Sequence, residues 1–252
     1  MPLSIIILLI IVIGIILGWL IGLAVYRLPR GLSCFHPASF CDYCHTPIPR
    51  KFRLPILGFL LAKGRCPICK KSIPSHYLYI EIITPVLMLV IFWKYGLSLL
   101  FFQYAILTLA CILIFFTDLF YRVIPDILTL PLIGVGIIFS FWNDLGILEA
   151  LKGLALGGGV FFLIYIIYRW IAKHEGLGKG DIKFLAMIGT FLGFQLAFLT
   201  VFLSALIGVI VWLLAKHDRQ FFLPFGSFIA ISTFISLLAG DQIIKSYWEL
   251  WS

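Results

Sequence analysis

The chain of 252 residues is 62% hydrophobic and only 12% charged, whereas a soluble globular domain carries about 45–50% apolar and about 25% charged residues. This composition excludes an ordinary water-soluble enzyme and points to a protein built for lipid. The formal net charge of +8 then reads as a topology signal with anionic lipid headgroups as its natural partner, and not as a nucleic-acid-binding surface.

In chain order, the apolar run 3–25 is too long for a signal-peptide core and no small-residue cleavage site follows it, so it is expected to be a retained span. Residues 26–77 form a basic, proline-containing polar segment, the longest loop of the chain. Segments able to cross about 30 Å of hydrocarbon, or nearly so, follow at 78–93, 97–116, 127–142, 151–171, 184–192, 196–215 and 225–239. The expected fold class is therefore an all-α polytopic membrane protein of about eight transmembrane helices. The division between 184–192 and 196–215 rests on Gly189, Gly193 and Gln195. Expected domains are a first helix (1–25), a cytoplasmic loop (26–77) and a transmembrane domain (78–252). No sequence repeat or low-complexity tract accompanies them.

Charge placement tests the count independently, because Lys and Arg collect on the cytoplasmic side. With eight spans and the N-terminus outside, all of the 19 Lys and Arg residues fall on inner segments except Lys94, Lys152 and Lys245. Both termini are then expected outside the cytoplasm.

The loop carries Cys41-Asp-Tyr-Cys44 and, after an interval of 45–65, Cys66-Pro-Ile-Cys69. Two such pairs suit a tetrahedral Zn²⁺, each donating two thiolates, and four protein ligands leave no open position, which makes the expected role structural. A reducing cytoplasm argues against disulfides. Cys34 and Cys111 are spare, and His36, His45 and His76 read as ordinary loop or interface residues.

Three aspartates stand at inner ends of spans. Asp181 and Asp126 could each be an N-cap. Asp118 has no such reading, because it closes the third span, where the helix dipole disfavours a carboxylate. Two carboxylates brought together could instead activate water for amide hydrolysis without metal or covalent nucleophile. Gly176, Gly178 and Gly180 would let an extended peptide approach and would permit positive-φ turns. On residue chemistry alone an aspartyl-protease pair and a transporter whose acids carry protons or cations stand level.

The chain resembles the type IV leader peptidase family, the prepilin peptidases of GxGD type. The resemblance is carried by Tyr26-Arg-Leu-Pro29, the two cysteine pairs, Gly64-Arg-Cys66, Glu81-Ile-Ile-Thr84, Asp118 with Ile124-Pro-Asp126, Leu128-Thr-Leu-Pro131, and Gly178-Lys-Gly-Asp181 with Lys183. It implies that Asp118 and Asp181 are the catalytic pair, with Asp126, Gly178, Gly180 and Lys183 as supporting residues and Lys179 and Lys183 biasing one acid toward ionisation. It implies prepilin or pseudopilin substrates, cut after a glycine on the cytoplasmic side of a bacterial inner membrane. Many members also N-methylate the new terminus with S-adenosylmethionine, an activity associated with the cysteine-containing region. Two departures from the pattern are Trp19 and Gly22, where Ser and Asn are common. Arg53 before Leu54-Pro55 is a third, standing where the family usually has Asn. Glu81 is expected either to cap the second span or to face the loop.

Overall fold

The computed structural model describes residues 2–33, 40–41, 43–173, 178–214 and 224–249, so that Cys34, His36, Gly176, Lys216 and Arg219 lie outside it. Among the described residues the chain is helical, with two isolated bridges, Phe40 to Pro47 and Arg65 to Ser72. It divides into two compact units, Met1–Trp93 and Lys94–Ser252.

In the first unit, α1 (Leu3–Arg27) runs into a single 3₁₀ turn, Leu28–Arg30, that ends at Gly31 in the left-handed region. Its Tyr26 carbonyl is taken by a basic side chain, as the negative end of a helix favours. Arg30 donates to the Tyr26 carbonyl at 2.7 Å and lies over the Tyr26 ring, and the buried Arg27 donates to the Ser33 carbonyl at 2.9 Å. The loop contains a 3₁₀ turn (Arg50–Phe52) and a short helix α2 (Leu57–Leu61), and returns through α3 (His76–Tyr95). Helices α1 and α3 pack through a register of small residues. A Cβ at Gly14 would stand 2.6 Å from Pro85 Cα, one at Gly18 would stand 2.9 Å from Glu81 Cα, and one at Gly22 would touch the Tyr77 ring. The steps of four run in opposite directions on the two helices, the signature of an antiparallel pair whose backbones meet. Gly22, a departure from the family pattern, thus has a packing role.

The second unit contains α4 (Leu99–Tyr121), α5 (Asp126–Ser140), α6 (Gly146–Leu154), a π turn (Ala155–Val160), α7 (Phe161–Ala172), α8 (Lys179–Leu214) and α9 (Phe225–Glu249). Ser98 caps α4 by accepting from Phe101 N–H. Gly193, at φ 74° and ψ −177°, breaks α8 into limbs 179–192 and 194–214. The break orphans carbonyls just before it. Gln103, fully buried, donates to the Phe191 carbonyl at 2.9 Å and accepts from Asn143 at 2.6 Å, and Asn143 in turn accepts from Leu145 N–H.

The first limb of α8 is the core of this unit. Phe184, Met187, Ile188 and Phe191 are fully buried, and α5, α6 and the π turn pack against this limb. Close backbone approach makes this possible. A Cβ on Gly153 would collide with the Gly189 carbonyl, one on Gly189 with the Gly153 carbonyl, one on Gly157 with the Leu185 carbonyl, and one on Gly136 with Thr190. At the other end of α9, Lys94 donates to the Leu237 and Leu238 carbonyls at 2.8 Å each, and Tyr95 donates to Leu237 at 2.9 Å.

Six described helical stretches are long and apolar enough to cross a membrane: Leu3–Arg30, His76–Tyr95, Leu99–Tyr121, Gly146–Ile171, Lys179–Leu214 and Phe225–Glu249. The all-helical membrane architecture is as expected, but eight crossings are not obtained by this criterion. Helix α5, at 15 residues, spans about 22 Å at 1.5 Å per residue, short of about 30 Å of hydrocarbon; the first limb of α8 is similarly short. The many large apolar side chains left exposed, Trp170 and Leu214 among them, suit helices whose outer faces meet lipid.

Gly153→Val should collide with the Gly189 backbone and lower the stability of the detergent-purified protein by about 1–3 kcal/mol or more. Gly159→Ala, whose added carbon meets nothing within 4 Å, should be neutral in the same thermal-unfolding measurement; equal behaviour of the two variants would remove the packing argument.

Candidate active site and metal centre

Asp118 lies one turn before the C-terminus of α4, the negative end of its own helix, and is 7% exposed. Its position is explained by another helix. Its Oδ2 accepts the Ser227 backbone N–H at 2.8 Å and the Ser227 hydroxyl at 3.2 Å, at the first turn of α9. A carboxylate disfavoured by one dipole is thus seated on the positive end of a second. Ser227 is locked by donating as well to the Phe115 carbonyl at 3.0 Å. Gly226 is where the acid comes closest, since a Cβ there would stand 3.0 Å from Asp118 Cγ.

Asp181 occupies the first turn of α8, but as its third residue. Gly178 is the N-cap, its carbonyl receiving the N–H of Asp181 at 3.1 Å and of Ile182 at 3.4 Å. The Asp181 carboxylate lies back toward Gly178. The N-cap expectation for Asp181 is therefore corrected by three positions, to Gly178. A Cβ on Gly178 would sit 2.7 Å from Asp181 Oδ2 and one on Gly180 would sit 2.9 Å from Ile124 Cβ. Neither glycine is among those at positive φ, so their use is close approach and not the unusual turns expected.

Asp118 and Asp181 are both brought toward one side chain: Ile124 Cδ1 lies close to Gly180, next to Asp181, and to Gly226, against which Asp118 is seated. Each acid lies at a helix end, whereas a transporter's proton or cation site is expected near mid-membrane.

Asp126 is the first residue of α5; its N-cap is Pro125, and no side chain caps the turn, so its N-cap reading also fails. Asp126 instead pairs with Lys183 Nζ at 2.6 Å. Lys183 is thereby committed to Asp126, and Lys179 lies toward the Tyr165 ring, 5.9 Å from its centroid. Glu81 lies in the second turn of α3, 8% exposed, and accepts Ile56 N–H at 2.6 Å. It faces the loop and is not a cap.

In the loop, the sulfurs of Cys41, Cys44, Cys66 and Cys69 all lie within 4.8 Å of one another. The two pairs are built alike. Cys41 N–H donates to the Thr46 carbonyl and its carbonyl accepts from His45; Cys66 N–H donates to the Lys71 carbonyl and its carbonyl accepts from Lys70. His45 and Lys70, each following the second cysteine of its pair, both have positive φ. Cys41 and Cys69 sulfurs are 3.7 Å apart, against about 3.8 Å for the edge of a tetrahedron with Zn–S bonds of about 2.3 Å. The donor set and spacing fit zinc. Hydrogen bonds from the Thr46 hydroxyl and backbone pull the Cys44 thiol down to about 6. The backbone amides of Cys69 and Ile68 lower Cys66. Although the Lys71 amide favours its thiolate, Cys69 is pushed up to about 11 by desolvation and the neighbouring sulfurs.

Gly226 and Ser227 were not legible as site residues; Pro224-Phe-Gly-Ser opening the last apolar run signals a helix start, but nothing local says which acid it receives.

Residues 12–95 match the Bacterial Peptidase A24 N-terminal domain and residues 105–213 match the Type IV leader peptidase family. The chain is 34% identical to a protein of Aeromonas salmonicida named Prepilin leader peptidase/N-methyltransferase, over 84% of this chain and 74% of that one. Proteins of the same name from Pseudomonas putida and Stutzerimonas stutzeri are 30% and 29% identical, covering 95% and 94% of this chain and 92% and 91% of theirs. No solved structure matches the chain.

The purified protein should contain about one zinc per chain by elemental analysis, and Cys66→Ser should lose it. Because the Cys69 thiol is high, metal binding must displace its proton, so zinc affinity should fall by about tenfold per pH unit per displaced proton as pH drops. A pH-independent affinity would contradict the thiolate assignment.

Proposed function

The chain belongs to the type IV leader peptidase family, and from that premise we propose that it is a membrane-embedded aspartyl endopeptidase acting through Asp118 and Asp181. Its substrate is a prepilin or pseudopilin, whose leader is removed after a glycine on the cytoplasmic side of the bacterial inner membrane. The observation that carries this reading is that two acids from distant parts of the chain, Asp118 seated on the N-terminus of α9 and Asp181 in the first turn of α8, are both brought toward Ile124.

The chemistry follows from two carboxylates holding one proton. The ionised acid takes a proton from water as the water oxygen attacks the scissile carbonyl, and the protonated acid donates to the departing amine. Gly178 and Gly180 keep the approach to Asp181 clear of side chains. Lys183 and Asp126 form a neutral pair that ties the N-terminus of α5 to α8 beside the reacting pair.

The protein is also proposed to N-methylate the new N-terminus with S-adenosylmethionine, which would supply the methyl group. Cys41, Cys44, Cys66 and Cys69 would hold a structural Zn²⁺ that staples the loop. The distribution of Lys and Arg supports a cytoplasmic loop, both termini outside, and anionic lipid as the partner of the basic rim; no nucleic-acid partner is proposed.

Asp118→Asn and Asp181→Asn should each slow prepilin cleavage by at least about 10²–10⁴-fold while the variant still binds zinc and remains in membranes. Mass measurement of the product checks this, and substantial cleavage by either variant would remove the pair. Reporter fusions at the C-terminus should read outside the cytoplasm; an inward signal would overturn the proposed sidedness.

A further inference from the structure

The link 122–125 between α4 and α5 is fixed at both ends. Arg122, in the left-handed region, closes α4 by donating its N–H to the Asp118 carbonyl at 2.9 Å. Pro125 then opens α5: its ring sets φ, and its carbonyl receives the N–H groups of Leu128 at 3.1 Å and Thr129 at 3.2 Å. Ile124 stands between these anchors. A residue before proline is held to extended backbone and a β-branched side chain is stiff at χ1, so the direction of Ile124 is narrowly set.

That direction leads to the ends of two other helices. A Cβ added at Gly180 would stand 2.9 Å from Ile124 Cβ, and one added at Gly226 would stand 2.9 Å from Ile124 Cδ1. The root of the side chain therefore rests on the first turn of α8 and its tip on the first turn of α9, with no room for a methyl group at either contact. Each of these glycines adjoins an acid or its holder. Gly180 precedes Asp181, and Gly226 precedes Ser227, which holds Asp118 Oδ2. The link is tied to α8 a second time through Asp126 and Lys183, 2.6 Å apart. In lipid, helices are located by close contact more than by burial as such, and here the contact between the two helix starts is a single side chain.

We propose that Ile124 is a positioning residue for the acid pair, its side chain setting the separation of Asp118 and Asp181 by filling the joint between the starts of α8 and α9. The assignment rests on the peptidase half of the function proposed above and adds to it a residue that carries no chemistry of its own. Acid and base must both reach one water and one carbonyl, and a misplacement of about 1 Å costs about 100-fold in rate. Separation also decides how strongly one carboxyl group feels the charge of the other.

The test is the pH dependence of prepilin cleavage by the full chain in lipid nanodiscs, for the wild type, for Ile124→Ala, and for Ile124→Val, which removes only the Cδ1 that meets Gly226. In Ile124→Ala, kcat should fall about 10- to 100-fold with KM within about twofold of the wild type. The two limbs of the kcat profile should draw together, by about half a pH unit for each ångström of added separation at an effective dielectric of about 20. Ile124→Val should lie between, and Val123→Ala, at the exposed neighbouring residue, should match the wild type. Arg122, Lys179 and the Asp126–Lys183 pair, the other charges on the described ends of α4, α5 and α8, are untouched in every variant, so the limbs report on the acids. Wild-type kcat and limbs in Ile124→Ala would overturn the proposal. So would a raised KM at unchanged kcat, which would put Ile124 against the substrate, or a lowered kcat with unmoved limbs, which would leave the separation of the acids unaltered. If Ile124→Ala shows no thermal unfolding transition, Ile124→Val decides by the same criteria. The peptidase reading fails separately, by cleavage that survives Asp118→Asn with Ile124 in place.

Discussion

The first limb of α8 is held by backbone meeting backbone, and the rest of the second unit depends on that contact. In lipid, side chains gain little by leaving one apolar environment for another, so helices associate through close van der Waals packing. Gly153, Gly157 and Gly189 allow this by removing the carbons that would otherwise hold α6 and the π turn away from α8. Once 182–193 is enclosed, the N-terminus of α8 has a fixed position, and Asp181 is fixed with it. The break at Gly193 belongs to the same arrangement: the helix changes course where its buried limb ends, and Gln103 takes the Phe191 carbonyl beside the break.

Three acids then find three helix N-termini. Asp181 folds back on the first turn of α8, Asp126 begins α5, and Asp118 sits at the head of α9 although it is carried on α4. The last case resolves the anomaly of a carboxylate at a C-terminus. Considered with its own helix Asp118 is misplaced, but considered with α9 its carboxylate is met by the Ser227 backbone amide and hydroxyl.

Much of this was legible before any coordinates. The apolar runs announced the helices, and the spacing of Cys41, Cys44, Cys66 and Cys69 announced a tetrahedral site, because ligand geometry within each pair is set locally. The GxGD stretch marked Asp181. What was not legible is whatever depends on a partner far along the chain. Ser227 receives Asp118 across more than a hundred residues, Lys183 turns to Asp126 and not to the nearer Asp181, and Glu81 turns to Ile56. Span counting failed for a related reason. Hydropathy measures how apolar a run is, but whether a run of 15 residues such as α5 crosses depends on what encloses it.

The way the acids are stabilised bears on what they can do. A cation placed against each carboxylate would favour two full negative charges, and neither acid could then donate a proton. Here the adjacent cation, Lys183, is neutralised by Asp126. Asp118 is held by the Ser227 backbone amide and hydroxyl. Helix ends supply the equivalent of about half a charge each. On the proposed reading, seating the acids on helix ends leaves them able to hold one proton between them.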